Sequence, residues 1–209
     1  MSNYPLIFRV RQAFEAPTVD DIAATVDAEL TRFTTRALQV VEVDRRTGGV
    51  LVDLATRLAA TARDVPDGVV GLVHGDCKPS QFLLRDGGRN EGGVVLLDLD
   101  SCGQADPAGD VGTFLATLRQ RTVRQLLARR TTPSAAGAQQ ALADVFLRAY
   151  VQAAGEVSDG ELRRRIAWYE AVALERKALR CFSRAPRSPL TRALVDDGQA
   201  CLDRRGGIR

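Results

Sequence analysis

The chain has 209 residues, 45% of them hydrophobic, which is enough for one domain, or two small lobes, with a real core. Its net charge is only +3 and its basic residues are dispersed over the predicted helices, which argues against nucleic-acid binding. No apolar run approaches membrane-spanning length, the N-terminal residues lack a secretion signal, and four cysteines without metal-binding spacing predict reduced thiols, so we expect a cytoplasmic protein.

The first elements predicted along the chain are mainly helical. Residues 5–14 fit either a short strand or the start of a helix. Residues 19–39 predict an amphipathic helix, because apolar side chains recur at helical spacing after a cap and an acidic first turn. The polar residues 44–49 (DRRTGG) predict a turn, and residues 50–62 predict a second helix.

The middle of the chain predicts short strands. Three apolar runs carry this prediction, at residues 69–73, 81–84 and 94–97. Residues 86–93 are rich in glycine, aspartate and asparagine, which favours a hairpin connection. The hairpin pairs the strand that starts at Gln81 with the strand that leads to Asp98, so we expect these two side chains to lie close together, one tight loop away from Asp76.

Four further helices are predicted after the strands. Their approximate limits are 111–129, 135–154, 158–182 and 190–203. Trp168 and Tyr169 are interpreted as packing residues of the third of these helices. Residues 204–207 predict a frayed tail.

Four sequence pieces occur in a fixed order in the second third of the chain. They are H-G-D at 74–76, Q-F-L-L at 81–84, L-L-D at 96–98 and D-P-A-G-D-V-G at 106–112. Together they resemble the catalytic segment of the aminoglycoside phosphotransferase and choline kinase group, which is related to the protein kinases. The resemblance implies an α+β, mainly α fold: the helical C-terminal lobe of a kinase-like phosphotransferase, with a small β-hairpin that carries the catalytic and metal loops.

The resemblance also implies an activity, the transfer of a phosphoryl group from ATP to a hydroxyl of a small molecule with Mg²⁺ as cofactor. Asp76 then orients the acceptor hydroxyl, and Lys78 contacts the phosphoryl group. Asp98 and Gln81 offer oxygen atoms to Mg²⁺, which prefers hard oxygen ligands. Gln81 replaces the asparagine of the family, and its longer side chain shifts the metal position. Lys78 is one of only two lysines in the chain.

Other residues of this stretch are interpreted as structural. His74, the only histidine, is predicted to be a buried hydrogen-bonding brace. Asp110 is interpreted as structural, either by capping the helix that opens after Pro107 or by holding the loop that carries Asp76. Cys77 is interpreted as small buried filler rather than a reactive thiol. Asp100 fits a second metal ligand or a turn residue equally well.

The nucleotide-binding lobe of the family has no counterpart in the pattern before residue 74. No glycine-rich phosphate loop appears there, and no lysine precedes Lys78. We therefore expect that lobe to be absent or strongly reduced. The predicted organisation is an N-terminal helical segment, residues 1–68, joined in one domain to the catalytic hairpin and helical core, residues 69–209.

Three functions remain open on this pattern. The chain is an active small-molecule phosphotransferase, a non-catalytic pseudo-kinase lobe that binds a ligand or a partner, or half of a split kinase whose nucleotide lobe comes from another chain. A homodimer through exposed helical faces, left bare by the missing lobe, is a further expectation. The sequence does not identify the acceptor, and the predicted acceptor segments show no acidic cluster of the kind that binds aminoglycosides.

Overall fold

The structure, a computed structural model, describes residues 19–65, 70–85, 93–154 and 159–203. Within these ranges the helices are α1 (Val19–Val43), α2 (Arg45–Ala62), α3 (Ala108–Leu127), α4 (Pro133–Ala153), α5 (Asp159–Arg184) and α6 (Pro189–Asp203). The strands are β1 (Gly71–Val73), β2 (Phe82–Arg85), β3 (Gly93–Leu96) and β4 (Gly103–Ala105). The chain is mainly helical with a small β component, as predicted.

Some predictions fall on other parts of the chain. Those for residues 5–14, for most of the hairpin connection at 86–93 and for the tail at 204–207 lie outside the described residues.

The predicted polar turn at residues 44–49 is wrong. Helix α1 continues to Val43, and α2 begins at Arg45, so only Asp44 separates them. The Asp44 carboxylate accepts hydrogen bonds from the backbone N–H groups of Arg46 and Thr47, at 3.1 and 3.0 Å, and thereby caps α2. Gly48 serves close packing, because a Cβ atom there would lie 2.3 Å from the backbone nitrogen of Val41. The glycine therefore allows α1 and α2 to cross tightly.

The strands form two antiparallel pairs. The predicted hairpin is confirmed: β2 pairs with β3, and Phe82 lies opposite Leu96. Strand β4 was not predicted; it pairs with β1 and places Val73 opposite Gly103. Three residues are too few to show a clear alternation in the sequence, so this pairing depends on the helices that hold the two segments together.

Most helices pack around one hydrophobic core. Its fully buried side chains come from α1, α2, α3, α5 and α6, and the largest of them are Leu51, Leu54, Leu58, Leu174, Leu194 and Val195. Each buried leucine contributes about 1.5–3 kcal/mol of hydrophobic free energy. Trp168 is 2% exposed, and its Nε1 donates a hydrogen bond to the carbonyl of Leu58 at 3.3 Å. Trp168 is therefore a core residue, as predicted.

A second cluster lies where α3, α4 and α5 meet. Val111, Leu115 and Ile166 are buried there against Phe146 and Tyr150 of α4.

Within the described ranges, no helix is both long enough and apolar enough to cross a membrane.

Helix α3 crosses α5 at very short distance. A Cβ atom on Gly112 would lie 2.6 Å from the backbone nitrogen of Glu170 and 2.7 Å from the carbonyl carbon of Tyr169. Only glycine therefore permits this crossing, which fixes the N-terminal end of α3 relative to the core.

Glu175 lies in the core on α5. Its side chain is fully buried, and neither carboxylate oxygen has a hydrogen-bond partner among the described residues. Burial raises the pKa of this carboxyl well above its ordinary value of 4.5. The folded state therefore retains a proton that the unfolded chain releases above pH 4.5, so stability falls as the pH rises from 4.5 toward the raised pKa.

Replacing Glu175 with methionine should raise the free energy of unfolding. We expect a gain of about 1–3 kcal/mol at pH 8, because an unpaired buried polar group is removed, and a smaller gain near pH 4.5, where the unfolded carboxyl is also partly protonated. Urea denaturation at both pH values measures the two gains, with the exposed Glu161→Met on the same helix as control. A gain that does not grow with pH, or a loss, would contradict the interpretation.

Candidate functional site

The loop between β1 and β2 is held by a carboxylate of helix α3. Asp110 accepts hydrogen bonds from the backbone N–H groups of His74, at 2.5 Å, and Gly75, at 3.0 Å. Bonds from backbone donors to a charged acceptor are stronger than bonds between neutral groups. Asp110 thus fixes the entry to the loop that carries Asp76, which is one of the two structural roles that the sequence suggests for it.

Gly75 allows the loop to pass close to a neighbouring turn. Its φ angle is +80°, in the left-handed region, and a Cβ atom would lie 2.3 Å from the carbonyl oxygen of Ser101. That oxygen belongs to a 3-10 turn at Leu99–Ser101, directly after Asp98. Glycine at position 75 therefore brings the Asp76 loop and the Asp98 segment together.

His74 connects the same two segments from within. The ring is 5% exposed, and Nε2 lies 2.9 Å from the carbonyl oxygen of Leu97. Its Nδ1 lies 3.4 Å from the backbone nitrogen of Asp76. A neutral ring that carries its proton on Nε2 satisfies both contacts. With both nitrogens used in this way, His74 acts as a brace rather than a proton carrier.

Asp76 and Lys78 point to the same side of the loop. The Lys78 ammonium forms an ion pair with Oδ2 of Asp76, and the two side chains are 34% and 45% exposed, respectively. In an extended loop, residues two apart project in the same direction, whereas Cys77 between them is buried. Burial raises the pKa of the Cys77 thiol to about 12, so it is unreactive at neutral pH, in keeping with its interpretation as filler.

Gln81 and Asp98 meet, as the hairpin predicts. Gln81 is not in the strand but in a 3-10 turn, Pro79–Gln81, just before it. Its backbone carbonyl accepts from Leu97 N–H at 2.8 Å, and its Nε2 donates to Oδ2 of Asp98 at 2.6 Å. Asp98 itself has a left-handed backbone, with φ and ψ both 61°, a conformation that is uncommon outside glycine and concentrated at functional sites.

The donor atoms of this pair fit Mg²⁺. Within the described residues, no group of three or more His, Cys, Asp or Glu side chains is placed to hold a metal ion. Mg²⁺ does not require such a group, because it is commonly held by one or two protein oxygens with waters and phosphate oxygens. The carboxylate of Asp98 and the amide oxygen of Gln81 could supply the protein share. Asp100 lies in the turn at Leu99–Ser101 and is exposed.

A buried ion pair anchors the start of α3. Arg165 of α5 pairs with both carboxylate oxygens of Asp106, with Nε 3.0 Å from Oδ2. Asp106 also accepts from the backbone N–H of Ala108 at 2.9 Å, at the start of α3, which begins three residues earlier than predicted. Arg165 and Asp106 are 3% and 8% exposed, so breaking the pair would leave a buried charge uncompensated.

The hairpin has one side chain packed on α3 and several apolar side chains that are exposed. Phe82 packs edge-on against Phe114 of α3, with 5.6 Å between ring centroids. Leu83 and Val95, which are paired across the strands, project to the opposite face and are 53% and 37% exposed. Leu96, which lies opposite Phe82 on the first face, is 41% exposed, so the strand that leads to Asp98 exposes apolar side chains on both faces.

Lys177 is a residue of this region that the sequence analysis missed. It lies on α5, and its ammonium interacts electrostatically with Asp76 and Lys78. The available signal was its rarity, since Lys78 and Lys177 are the only two lysines in the chain.

Comparison with known proteins adds the family. A family model described as the phosphotransferase enzyme family matches residues 10–169, about three quarters of the chain. Neither a curated protein nor a solved structure gives a significant match.

Asp110→Asn should loosen the loop. The amide that replaces one carboxylate oxygen is a donor and cannot accept from a backbone N–H, so we expect the free energy of unfolding to fall by about 1–3 kcal/mol. The ring signals of His74, the only histidine, should shift in NMR spectra because its backbone N–H loses or weakens a bond. The exposed Asp53→Asn on α2 is the control. Unchanged stability together with unchanged His74 signals would contradict the assigned contact.

Proposed function

The chain belongs to the phosphotransferase enzyme family, and from this we propose that it transfers a phosphoryl group from ATP to a hydroxyl group of a small molecule. The observation that carries the proposal is the convergence of two pairs on one fixed loop system. Asp76 and Lys78 form one pair, and Gln81 and Asp98 form the other. These are the groups that phosphoryl transfer needs: a carboxylate for the acceptor, a cation for phosphate and oxygen ligands for a divalent ion.

Asp76 is the proposed catalytic residue. Its carboxylate accepts a hydrogen bond from the acceptor hydroxyl and takes the proton as the hydroxyl oxygen bonds to the γ-phosphorus and the bond to ADP breaks. Lys78, already paired with Asp76, is placed to balance charge on the phosphoryl oxygens. Mg²⁺, when bound through Asp98 and Gln81, would neutralise phosphate charge.

Two apolar surfaces lie close to the loop that carries Asp76. The exposed apolar face of Leu83 and Val95 beside Asp98 offers a surface for the base of a nucleotide. A mainly apolar cavity of about 670 Å³, bordered by His74 and Cys77, lies between the strands and α4, where Phe146 and Tyr150 line it. Asp76 is not among its lining residues, because Asp76 projects to the side of the loop opposite Cys77.

Asp76→Asn should abolish transfer and leave binding intact. Removing a general base costs typically about 10²–10⁴-fold in rate, whereas the neutral amide keeps the shape of the site, so ATP affinity should change by no more than about twofold, roughly 0.4 kcal/mol. Calorimetric titration with ATP and Mg²⁺ measures binding, and radiolabelled ATP with a panel of amino alcohols, sugars and apolar alcohols measures transfer.

Asp98→Ala serves as the second arm and should remove the Mg²⁺-dependent part of ATP binding. Asp53→Asn, an exposed change on α2, is the control for both arms. Transfer by the Asp76→Asn protein at the wild-type rate would overturn the assignment of Asp76. Mg²⁺-dependent binding that survives in Asp98→Ala would overturn that of Asp98.

A second candidate function is a partner-binding lobe, either non-catalytic or half of a split kinase. The observation that favours it is the cluster of exposed apolar side chains on the hairpin and the following turn. Its members are Leu83, Val94, Val95, Leu96, Leu97 and Leu99. Such clusters on a protein surface mark interaction sites. A nucleotide lobe from another chain, or a second copy of this chain, would cover them.

Leu83→Asp separates the two candidates. If a protein covers this face, the charge should dissociate the complex or dimer, seen as a lower mass in analytical ultracentrifugation. Leu142→Asp on α4, at a leucine that is 61% exposed and is not part of this cluster, is the matched control. A monomer whose mass is unaffected by Leu83→Asp, but whose ATP affinity falls, would favour the first candidate.

A further inference from the structure

The two lysines of the chain lie in one electrostatic cluster. Lys177 is on α5, far along the chain from the loop that carries Lys78. Its ammonium group interacts with the charges of Asp76 and Lys78 on the loop, and of Arg176 and Arg180 on its own helix. Asp110, which binds the backbone of the Asp76 loop, and Thr117, which binds the Lys177 ammonium, are seven residues apart and so lie on the same face of α3. Lys177 therefore borders the candidate site.

Lys177 is held in position by a neighbouring helix. Its Nζ donates a hydrogen bond to Oγ1 of Thr117 on α3, at 2.9 Å, and the side chain is half-buried. A lysine side chain loses up to about 2 kcal/mol of rotamer entropy when it is fixed. The packing of α3 against α5 thus presents a cation toward the site rather than leaving it free in solvent.

The charge around Lys177 is unbalanced. Arg176 is paired with Glu29, at 2.8 Å, and Asp76 is paired with Lys78. Among the described residues, Lys177 and the exposed Arg180 form no ion pair. Burial, followed by repulsion from the neighbouring arginines, lowers the pKa of Lys177 to about 8, so the ammonium is still mostly charged at neutral pH. An anion bound here would relieve that repulsion.

We propose that Lys177 and Lys78 together bind a phosphate-type oxyanion beside Asp76. A compact ammonium group suits phosphate oxygens, and two of them from different elements can contact one group. The role of this anion in the reaction rests on the proposed function. Its source is either the phosphate chain of the nucleotide or a phosphate on the acceptor, and the chemistry of recognition is the same for both.

The first test uses inorganic tripolyphosphate, which carries the charge of a nucleotide phosphate chain without a base. Calorimetric titration of the full chain at low salt, without Mg²⁺, should show binding that weakens as salt is added. In Lys177→Gln the affinity should fall about tenfold or more, a loss of about 1.4 kcal/mol. The glutamine amide can still donate to Thr117, so the fold is expected to persist.

Three further variants separate binding from structure. Arg184→Gln removes one exposed positive charge near the C-terminal end of α5 and should leave tripolyphosphate affinity within about twofold, roughly 0.4 kcal/mol. Thr117→Val removes the hydrogen bond but keeps the cation, so affinity should largely remain. Lys177→Arg keeps the charge and should retain more affinity than Lys177→Gln. A purely structural Lys177 would instead lower thermal stability in both Lys177→Gln and Thr117→Val and leave anion affinity unchanged.

Competition identifies the source of the anion. If ATP displaces tripolyphosphate and itself binds more weakly to Lys177→Gln, the anion is the nucleotide chain. If ATP binds both proteins equally while orthophosphate or tripolyphosphate binding depends on Lys177, the anion belongs to the acceptor. Both results support the site. Absence of binding by the wild-type chain at about 10 mM anion, weaker than any useful affinity, or equal binding by Lys177→Gln, would overturn it.

The outcome is independent of catalysis. Anion binding that depends on Lys177 in a chain that transfers no phosphate to any acceptor would keep the site and remove the proposed activity. Transfer that depends on Asp76 but is unchanged in Lys177→Gln would do the reverse.

Discussion

The contact of Asp110 with the backbone of His74 and Gly75 is the constraint on which the candidate site depends. The loop after β1 has little regular structure, and its position relative to the hairpin must come from outside. Asp110 supplies it, because α3 is rigid and its first turn directs a carboxylate at two backbone donors. His74 passes the constraint on to the carbonyl of Leu97, one residue before Asp98. The Asp76–Lys78 and Gln81–Asp98 pairs are thus both positioned through one carboxylate.

The position of Asp110 depends in turn on the helical core. The buried pair of Arg165 with Asp106 fixes the start of α3 on α5, and Gly112 lets the two helices approach to backbone contact. A buried pair of this kind adds little net stability by itself, yet breaking it is costly. The pair instead fixes the position and direction of the first turn of α3 relative to α5. The core therefore determines where the loop that carries Asp76 lies.

How much could be predicted from the sequence follows from the range of each interaction. Helices with regular apolar spacing were predicted to within a few residues, and the Gln81–Asp98 contact followed from a local hairpin. The glycines at 48 and 49 were read as a turn because local chemistry cannot reveal that Gly48 lies against Val41. Strand β4 and Lys177 depend on tertiary contacts between distant segments. Neither the pairing of β4 nor the location of Lys177 leaves a pattern of hydrophobic periodicity in the sequence.

Arginine and lysine have different roles in this structure. Lysine and arginine total 29 residues, and only two are lysines. Arginine forms the structural pairs, with Asp106 from Arg165 and with Glu170 from Arg119, where a planar fork can bind a carboxylate rigidly. Lys78 lies on the Asp76 loop, and Lys177 on α5 interacts electrostatically with it. An ammonium group can rotate its donors and follow a phosphoryl group as charge moves, which a fixed guanidinium fork does less well. Both lysines thus interact with the Asp76 carboxylate, where a compact and mobile charge suits the proposed phosphoryl group.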